Sequence, residues 1–324
     1  MSRFRVLLTD RAWPDSEVEQ SVLSEIDAEI IEAPTHDEAT LISLAHDVDA
    51  IITCWAQVTG AVIEACPNCQ IVARAGIGLD NIDIATATAR NIPVTNVPAY
   101  CVDEVTEHTL AMMLAAARNV AFFHWRTKHG EYNLQAGGQM NRVAGQTLGI
   151  FGFGRIGQAL SVKAKGLGLH VIATNQSNNN HGVDCEMVAF DELLERSDFI
   201  SINAPLTALT HHQFNADAFA KMKTTAVLVN TSRGGLIDHD ALWNVIQDDQ
   251  LATVCLDVYD PEPPDLNEPL YKDERVILTP HAAFASKESL VELRRQTAKC
   301  VLDRLSGRQP QNVVNGVERS SLGE

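Results

Sequence analysis

The strongest chemical signal in the sequence is a run of three glycines, Gly152, Gly154 and Gly157, with the spacing G-x-G-x-x-G. The run follows a predicted strand, Thr147–Phe151, and opens a predicted helix over residues 155–167, which is the context that a dinucleotide-binding fingerprint requires. The first glycine allows the tight turn, the second lets the backbone approach a pyrophosphate, and the third lets the helix pack closely on the strand. The helix N-terminus supplies free N–H groups for the phosphates. The pattern therefore predicts a site for a dinucleotide cofactor.

The choice of dinucleotide depends on the residue that follows the next predicted strand, which ends at Thr174. An acidic residue usually stands there and binds the ribose 2′-hydroxyl. This sequence has Asn175, followed by Gln176 and Ser177. A carboxylate that would repel a 2′-phosphate and a cation that would attract one are both missing at this point. Because an amide can hydrogen-bond either a hydroxyl or a phosphate oxygen, the residues leave NAD and NADP open.

The elements that must position this turn alternate between short apolar strands and helices, in the β-α-β order of parallel sheets. Strands are predicted at 6–9, 28–31, 50–53, 71–73 and 93–96, and then at 147–151, 170–174, 199–202, 226–230, 253–257 and 275–279. A long helix between the two series is expected to have Asp103 as its N-cap. Another helix over residues 287–305 follows the last strand, and residues from about Arg308 onward are expected to fray. We predict an α/β protein with two Rossmann-like lobes, flavodoxin-like and dinucleotide-binding, and a cleft between them.

The segment from Val120 to Val143 is unusually aromatic for a solvent-exposed linker. It carries Phe122, Phe123, Trp125 and Tyr132, and then a break at Gly137 and Gly138. Such side chains are costly to leave in water, so we expect this arm to pack either on another subunit or within the chain. A two-fold homodimer is the commonest closed assembly, and we expect the arm to bury aromatic surface in one.

Composition and cysteine usage exclude several classes of protein. Lys and Arg number 25 against 42 Asp and Glu, and the formal charge of −17 would repel nucleic acid and anionic membranes. The apolar runs are shorter than the ~20 residues that cross a bilayer. The seven cysteines are irregularly spaced, and the pair Cys66 and Cys69 lacks the second pair of a zinc ribbon. We expect reduced thiols, no metal and a cytoplasmic location.

Five further segments occur in a distinctive order: RAGIGLDNID at 74–83, IPVTNVP at 92–98, NTSRGG at 230–235, LDVYDPEP at 256–263 and TPH at 279–281. Together with the glycine turn, they resemble the D-isomer-specific 2-hydroxyacid dehydrogenase family, which contains phosphoglycerate dehydrogenase and hydroxypyruvate reductase. The resemblance covers nearly the whole chain. It implies an oxidoreductase that moves a hydride between NAD or NADP and a small 2-oxo or D-2-hydroxy acid.

The resemblance identifies Arg233, Glu262 and His281 as catalytic, and their chemistry suits the reaction. Arg233 offers a planar fork of donors that can hold the substrate carboxylate and carbonyl. His281 can supply the proton that the reduced carbonyl oxygen needs near neutral pH. Glu262 beside it would favour the imidazolium and fix the ring. All three follow predicted strands, at the edge where open parallel sheets bind ligands.

The resemblance also implies binding residues and domain limits. The backbones of Gly76 and Ile77 meet the substrate carboxylate, and Asp257 accepts a hydrogen bond from the cofactor carboxamide. The implied cofactor contacts are Gly152, Gly154, Arg155, Ile156, Gly157, Asn175, Ala204, Thr231, Ser232 and Asp257. Residues 1–98 with 287–324 would form a discontinuous substrate domain, and residues 99–286 the NAD(P)-binding domain. His108, in the long helix, is expected to pack.

The loop at residues 53–57 departs from the family pattern, because TCWAQ stands where many relatives have a basic stretch. No Lys or Arg lies between Arg11 and Arg74. A phosphorylated substrate would need a local cation beyond Arg233, so 3-phosphoglycerate is disfavoured. Trp55 can instead cover a small or apolar substrate side chain.

Two other functions stay open at this stage. Some family members resemble transcriptional corepressors that bind NADH and report it to protein partners, and an intact catalytic set does not exclude that role. Oxidation of formate or phosphite is also possible in outline. Assays of cofactor oxidation with a panel of 2-oxo acids would separate these possibilities.

Overall fold

A computed structural model describes residues 3–317 of the chain. The chain divides into two compact units, here called unit 1 (residues 1–100 and 286–324) and unit 2 (residues 101–285). The limits expected from the sequence are residues 98 and 287. Among the described residues, the helices are all too short or too polar to cross a membrane.

Unit 1 contains a five-stranded parallel sheet in the order β2-β1-β3-β4-β5. The strands are β1 (Phe4–Leu8), β2 (Ala28–Glu32), β3 (Ala50–Thr53), β4 (Ile71–Arg74) and β5 (Val94–Thr95). The helices before the domain break are α1 (Glu17–Leu23), α2 (Glu38–Ala45), α3 (Gly60–Glu64) and α4 (Ile84–Ala89). β3 and β4 are buried along their whole length, as expected for central strands of a parallel sheet that is covered on both faces.

The last helix, α11 (Lys287–Leu305), belongs to unit 1 and packs on α1 and β4. Its buried residues Ala298, Val301 and Leu302 join the core cluster that also contains Val6 and Leu8 of β1. The chain therefore returns to its first sheet after completing unit 2.

A buried ion pair reinforces this return. The guanidinium of Arg294, in α11, donates hydrogen bonds of 3.0 and 2.8 Å to the carboxylate of Glu19, in α1. It also bonds Asp15 at 2.8 Å. Glu19 is only 1% exposed, so its charge is compensated by Arg294 rather than by water.

The expected fraying after Arg308 is wrong for the described residues. Val313 forms an antiparallel bridge with Thr95 of β5. The neighbouring residue of β5, Val94, is bonded to the same segment. Its carbonyl accepts the Val314 N–H at 2.9 Å, and its N–H donates to the Asn315 side chain at 3.1 Å. Backbone pairing with a sheet edge holds this segment, a long-range contact that local sequence does not reveal. Residues 318–324 lie outside the described part.

Unit 2 contains a seven-stranded parallel sheet in the order β12-β11-β10-β9-β6-β7-β8. The strands are β6 (Thr147–Phe151), β7 (His170–Thr174), β8 (Glu186–Met187), β9 (Phe199–Ile202), β10 (Val227–Asn230), β11 (Thr253–Leu256) and β12 (Val276–Leu278). The helices are α5 (Val102–Ala117), α6 (Val120–Lys128), α7 (Arg155–Gly166), α8 (Phe190–Arg196), α9 (Ala216–Phe219) and α10 (His239–Gln247). Two parallel sheets confirm the predicted α/β class, and each predicted strand is present within two residues of its expected bounds.

Two local expectations are corrected in unit 2. Helix α5 begins at Val102, so Asp103 is not its N-cap. Asp103 lies in the first turn, where the helix dipole favours an acid, and its carboxylate pairs with Lys163 of α7 at 2.9 Å. The two-residue strand β8 is also absent from the sequence prediction, because it is too short to show an alternating pattern.

The aromatic arm forms helix α6 and a short 3-10 turn, Leu134–Gly137. Phe122 and Phe123 are half-buried within the chain, with Phe122 under the guanidinium of Arg126 at 4.5 Å and Phe123 against Phe122 at 5.5 Å. The large side chains that remain exposed, here called the arm surface, are Val120, Trp125, Tyr132 and Leu134. Of the four aromatic residues noted in the sequence, Trp125 and Tyr132 are part of this surface, and Phe122 and Phe123 are not.

We predict that Arg294→Met destabilises the protein by about 3–5 kcal/mol, because it leaves the Glu19 carboxylate buried without a partner. The free energy of unfolding in urea measures this effect. Arg295→Met is the matched control, since Arg295 is exposed and 3.6 Å from its partner Glu292, and it should change stability by about 1 kcal/mol or less. The double variant Glu19→Leu/Arg294→Met should recover most of the loss. Equal stability of the two single variants would contradict the prediction.

Candidate active site

The first and third glycines of the turn after β6, Gly152 and Gly157, are closely surrounded. Gly152 has a positive φ of 97°, and its N–H donates to the Thr174 carbonyl at 2.9 Å. A Cβ at position 152 would lie 2.5 Å from the backbone nitrogen of Ala204, and one at position 157 would overlap the carbonyl oxygen of Gly152. These positions therefore need glycine for close packing of the turn, the helix and the next strand.

Gly154 differs, because a Cβ there would meet no atom within 4 Å. It is the N-cap of α7, and no side chain caps the helix. The first N–H groups of a helix have no partner within the helix, so those of the first turn, at Arg155 and Ile156, are available to an anion beside Gly154. A closely packed turn with an open glycine at an uncapped helix N-terminus fits the pyrophosphate of a dinucleotide.

Asn175 lies at the predicted place after β7, but its side chain is engaged in its own loop. Its Nδ2 donates to the Asn179 carbonyl at 2.8 Å, and its Oδ1 accepts the Asn179 N–H at 3.0 Å. The Ser177 hydroxyl also donates to Oδ1, at 3.3 Å. The amide thus shapes the loop beside the expected ribose position, and the loop offers no formal charge between residues 175 and 180.

Two other predicted cofactor segments meet at the carboxyl ends of β9 and β10. The Ser232 hydroxyl donates to the Ala204 carbonyl at 2.5 Å, and the Thr231 and Thr109 hydroxyl groups are 3.0 Å apart. Because Ala204 also touches the glycine turn at Gly152, the structure brings these predicted contacts together at one sheet edge.

The catalytic residues expected from the sequence follow β10, β11 and β12. These strands pair in parallel with Asn230 opposite Leu256 and Leu256 opposite Leu278. The chain therefore leaves all three strands at the same edge, and the segments carrying Arg233, Glu262 and His281 begin there.

Glu262 and His281 form a direct pair. Oε2 of Glu262 lies 2.9 Å from Nδ1 of His281, and Oε1 accepts the Tyr259 N–H at 2.8 Å. Burial alone would raise the pKa of Glu262, but the hydrogen bond and charge of His281, with the positive charge of Arg233, hold that pKa below its ordinary value. The Glu262 carboxylate is therefore charged and fixes the ring of His281 through Nδ1.

Arg233 is placed by the contact between its own loop and the loop that carries Glu262. A Cβ at Gly234 would overlap the backbone carbonyl of Tyr259, so only glycine permits this approach. The Asn230 side chain fixes the carbonyl of Arg233 with a hydrogen bond of 2.8 Å. The sequence NTSRGG thus contains both the cation and the glycine that brings it near Glu262.

Tyr259 links Glu262 to the segment before His281, and the sequence prediction does not include it. Its N–H holds Glu262, and its hydroxyl donates to the Thr279 carbonyl at 2.7 Å, two residues before His281. Burial raises the pKa of this phenol, which keeps it a neutral donor. The only sequence signal for it is its place within the LDVYDPEP segment.

Asp257, expected to contact the carboxamide of the cofactor, is completely buried. Its carboxylate accepts hydrogen bonds from the Thr279 hydroxyl at 2.6 Å, the Ala282 N–H at 2.8 Å and the Ala283 N–H at 2.9 Å. The structure therefore gives Asp257 a set of partners in the segment around His281 that its position in the sequence does not reveal.

The predicted substrate residues of unit 1 lie on two loops. The N–H groups of Cys54 and Trp55 donate to the Asp10 carboxylate at 2.9 and 2.7 Å. Trp55 is 43% exposed. In the other loop, the Gly76 carbonyl accepts the Val97 N–H at 3.0 Å.

Arg74 lies directly under this second loop. Its guanidinium is so close to Gly76 that a Cβ there would lie 2.6 Å from it. Arg74 is 6% exposed, and the described residues give it no ion pair. Unit 1 therefore has a buried cation next to the loop that carries Gly76.

Comparison with known proteins places this arrangement in context. The sequence profile described as D-isomer specific 2-hydroxyacid dehydrogenase, NAD binding domain, matches residues 110–283. Glyoxylate reductase of Korarchaeum cryptofilum is 36% identical over 291 residues, which are 88% of this chain and 87% of that protein. The chain belongs to the D-isomer-specific 2-hydroxyacid dehydrogenase family. Membership confirms the predicted fold, the hydride-transfer activity on 2-oxo and 2-hydroxy acids, and NAD or NADP as cofactor.

Two other relatives of this dehydrogenase extend the comparison. Hydroxypyruvate reductase of Thermotoga maritima is 35% identical over 89% of this chain and 94% of that protein. The NADPH-dependent glyoxylate/hydroxypyruvate reductase of Sinorhizobium meliloti, solved with NADP and malonate, is 25% identical and has a TM-score of 0.88. The match covers 99% of this chain and 100% of that one.

The glycine turn yields a paired prediction. Gly157→Ala should lower thermal stability, because its methyl group overlaps Gly152. Gly154→Ala should leave the melting temperature within about 2 °C of wild type, because a surface substitution changes stability by only about 0.5 kcal/mol. It should nevertheless weaken NADH binding, since the added methyl group lies where the pyrophosphate is expected. Differential scanning fluorimetry and NADH fluorescence titration measure the two effects. Wild-type NADH affinity in Gly154→Ala would refute the proposed pyrophosphate position.

Proposed function

We propose that this dehydrogenase reduces a small 2-oxo acid to the D-2-hydroxy acid, with Arg233, Glu262 and His281 as its catalytic residues. The observation that carries this proposal is the 2.9 Å pair between Glu262 and His281, beside the charge of Arg233. An acid-base group fixed by a carboxylate, next to a permanent cation, suits a substrate with a carbonyl and a carboxylate.

Each residue has a distinct task in this proposal. The nicotinamide of the cofactor supplies the hydride when bound. Arg233 binds the carboxylate and polarises the carbonyl through its fork of N–H donors. Because Nδ1 of His281 faces Glu262, the other ring nitrogen, Nε2, is the atom that delivers the proton to the carbonyl oxygen. The Glu262 charge stabilises the protonated imidazole before that transfer.

The substrate is proposed to be a small, unphosphorylated 2-oxo acid, of the glyoxylate and hydroxypyruvate class on which the named relatives act. Gly76 and Ile77 would bind its carboxylate through their backbone, and Trp55 would cover its remaining group. Arg74 is too deeply buried to reach a mobile phosphate from solvent, but its charge under Gly76 favours an anion at that loop.

We further propose relaxed use of NADH and NADPH. Residues 175–180 carry neither an acid nor a Lys or Arg, so the loop has no charge that selects for or against a 2′-phosphate. A discrimination of more than about 1000-fold against NADPH, or ~4 kcal/mol, would refute this.

A panel assay tests the function. Purified protein is incubated with NADH or NADPH and glyoxylate, hydroxypyruvate, pyruvate or 3-phosphohydroxypyruvate, and oxidation of the cofactor is followed at its absorbance band. Turnover of at least one unphosphorylated acid supports the proposal. Tight NADH binding without turnover of any acid would instead favour the regulatory alternative.

His281→Ala should lower kcat by about 10²–10⁴, because the general acid is lost. NADH affinity should change little, since the glycine turn is intact. Stopped-flow kinetics with the best acid of the panel measure the first effect and NADH fluorescence the second. A near wild-type rate without His281 would end its assignment as proton donor.

Glu262→Gln should change the pH dependence of reduction. The pKa of Glu262 lies below its ordinary value of 4.5, so in the wild type its stabilising charge is present above that pH and is lost only as pH falls through the lowered value. The variant lacks this charge at every pH, so protonated His281 is less stable. The alkaline fall in kcat should therefore begin at a lower pH than in wild type. Coincident profiles would show that Glu262 does not act on the proton donor.

A homodimer is also part of the proposal. Val120, Trp125, Tyr132 and Leu134 are 56%, 55%, 97% and 75% exposed. This is an unusual concentration of large apolar groups over fifteen residues, and such groups are enriched in interfaces between subunits. We propose that the arm surface packs on a second copy of the chain.

The double variant Trp125→Ser/Leu134→Ser should convert the dimer to a monomer, because it removes two large apolar side chains from the interface. Light scattering after size exclusion at micromolar concentration measures the mass. Leu266→Ser is the control, since Leu266 is 54% exposed on another loop. A wild-type monomer, or dissociation of the control alone, would refute the arm as the dimer surface.

A cytoplasmic location completes the proposal. All seven cysteines are described, all are buried, and none forms a disulfide. Burial raises the pKa of the Cys185 and Cys300 thiols, which keeps these groups protonated and poorly reactive. Such usage suits a reducing compartment.

A further inference from the structure

His281 has an unusual backbone conformation. Its φ is 52°, in the left-handed region, which is unfavourable for a non-glycine residue. Such a conformation persists only where neighbouring contacts fix it. The His281 N–H donates to the Asp257 carbonyl at 2.7 Å, so the main chain of Asp257 supplies one of these contacts.

The Asp257 side chain supplies further contacts on both sides of His281. Its buried carboxylate accepts the N–H groups of Ala282 and Ala283, directly after His281, and the hydroxyl of Thr279, two residues before it. Hydrogen bonds to the charged carboxylate are stronger than bonds between neutral groups. One buried carboxylate therefore hydrogen-bonds the chain on both sides of His281.

His108 extends this network to helix α5. Its Nε2 lies 3.0 Å from the Thr279 hydroxyl oxygen and 3.6 Å from Oδ1 of Asp257. The single hydroxyl proton of Thr279 points to Asp257, since an ionised carboxylate can only accept. Thr279 must therefore accept from His108, which requires a proton on Nε2 of His108.

We propose that His108, Thr279 and Asp257 form a positioning network that sets the orientation of the proton donor His281. The inference rests on the proposed function for the role of His281. It gives His108 a task beyond packing, and it makes holding the His281 segment the first role of Asp257. None of the three needs to touch the substrate.

Substitutions at Thr279 and His108 distinguish the loss of a hydrogen bond from a change in side-chain shape. Thr279→Val keeps the volume but removes the hydroxyl, whereas Thr279→Ser keeps the hydroxyl. His108→Leu removes the donor, whereas His108→Gln retains an N–H that can reach Thr279. A variant counts as folded when its melting temperature and NADH affinity match those of wild type. Because two positions are substituted separately, the test survives if the variants at one of them misfold.

Kinetics provide the first readout. In Thr279→Val and His108→Leu, kcat with glyoxylate or the best acid of the panel should fall about 10- to 100-fold, as for a small misplacement of a catalytic group. KM and NADH affinity should stay within about threefold of wild type, since the remote variants leave binding residues untouched. The Ser and Gln variants should retain most of kcat.

The second readout needs no turnover, so it separates failure of this inference from failure of the proposed function. Long-range 1H–15N spectra of the histidine side chains, with His281 assigned from His281→Ala, report which ring nitrogen carries the proton. Thr279→Val and His108→Leu should shift the His281 signals, and Thr279→Ser should not. Unchanged His281 signals in both disruptive variants would overturn the network, whatever their kcat.

Discussion

Parallel pairing of β10, β11 and β12 is the constraint on which the candidate site depends. Because Asn230, Leu256 and Leu278 lie side by side, the three segments that follow must leave the sheet at one edge. Residues that are distant in sequence thereby meet within hydrogen-bonding distance, as Asp257 and Ala282 do across 25 positions. The glycine turn after β6 and Ala204 after β9 extend the same edge to the cofactor site.

Sequence patterns were sufficient for the elements that form this edge. Strands such as Thr147–Phe151 and Phe199–Ile202 are short apolar runs that lie between helices, and their bounds follow from that contrast. Arg233, Glu262 and His281 were found because each lies within a distinctive motif just after a strand. The order of the motifs along the chain identifies these three residues as one site, since each residue alone is equally compatible with a structural role at the surface.

Long-range contacts explain what the sequence did not predict. The side chain of Asn175 can bind a ligand in isolation, and only the fold shows that it closes its own loop. Asp257 looks like a strand-end ligand until its three partners from residues 279–283 are seen. The segment at Val313 looks polar and terminal, but pairing with β5 orders it. Each case depends on a neighbour that is distant in sequence or on a backbone shape that residue type does not specify.

The discontinuity of unit 1 has a consequence for protein synthesis. Helix α11 supplies part of the core beneath β1, and the segment after it pairs with β5, yet both are the last described elements to leave the ribosome. Unit 2 is contiguous and contains all of its strands by residue 278, so it can fold while the first sheet still lacks its cover. The apolar face of that sheet stays uncovered until α11 ends at Leu305, 27 residues after β12 ends at Leu278. The nascent first unit is therefore the part of the chain that most needs protection by a chaperone.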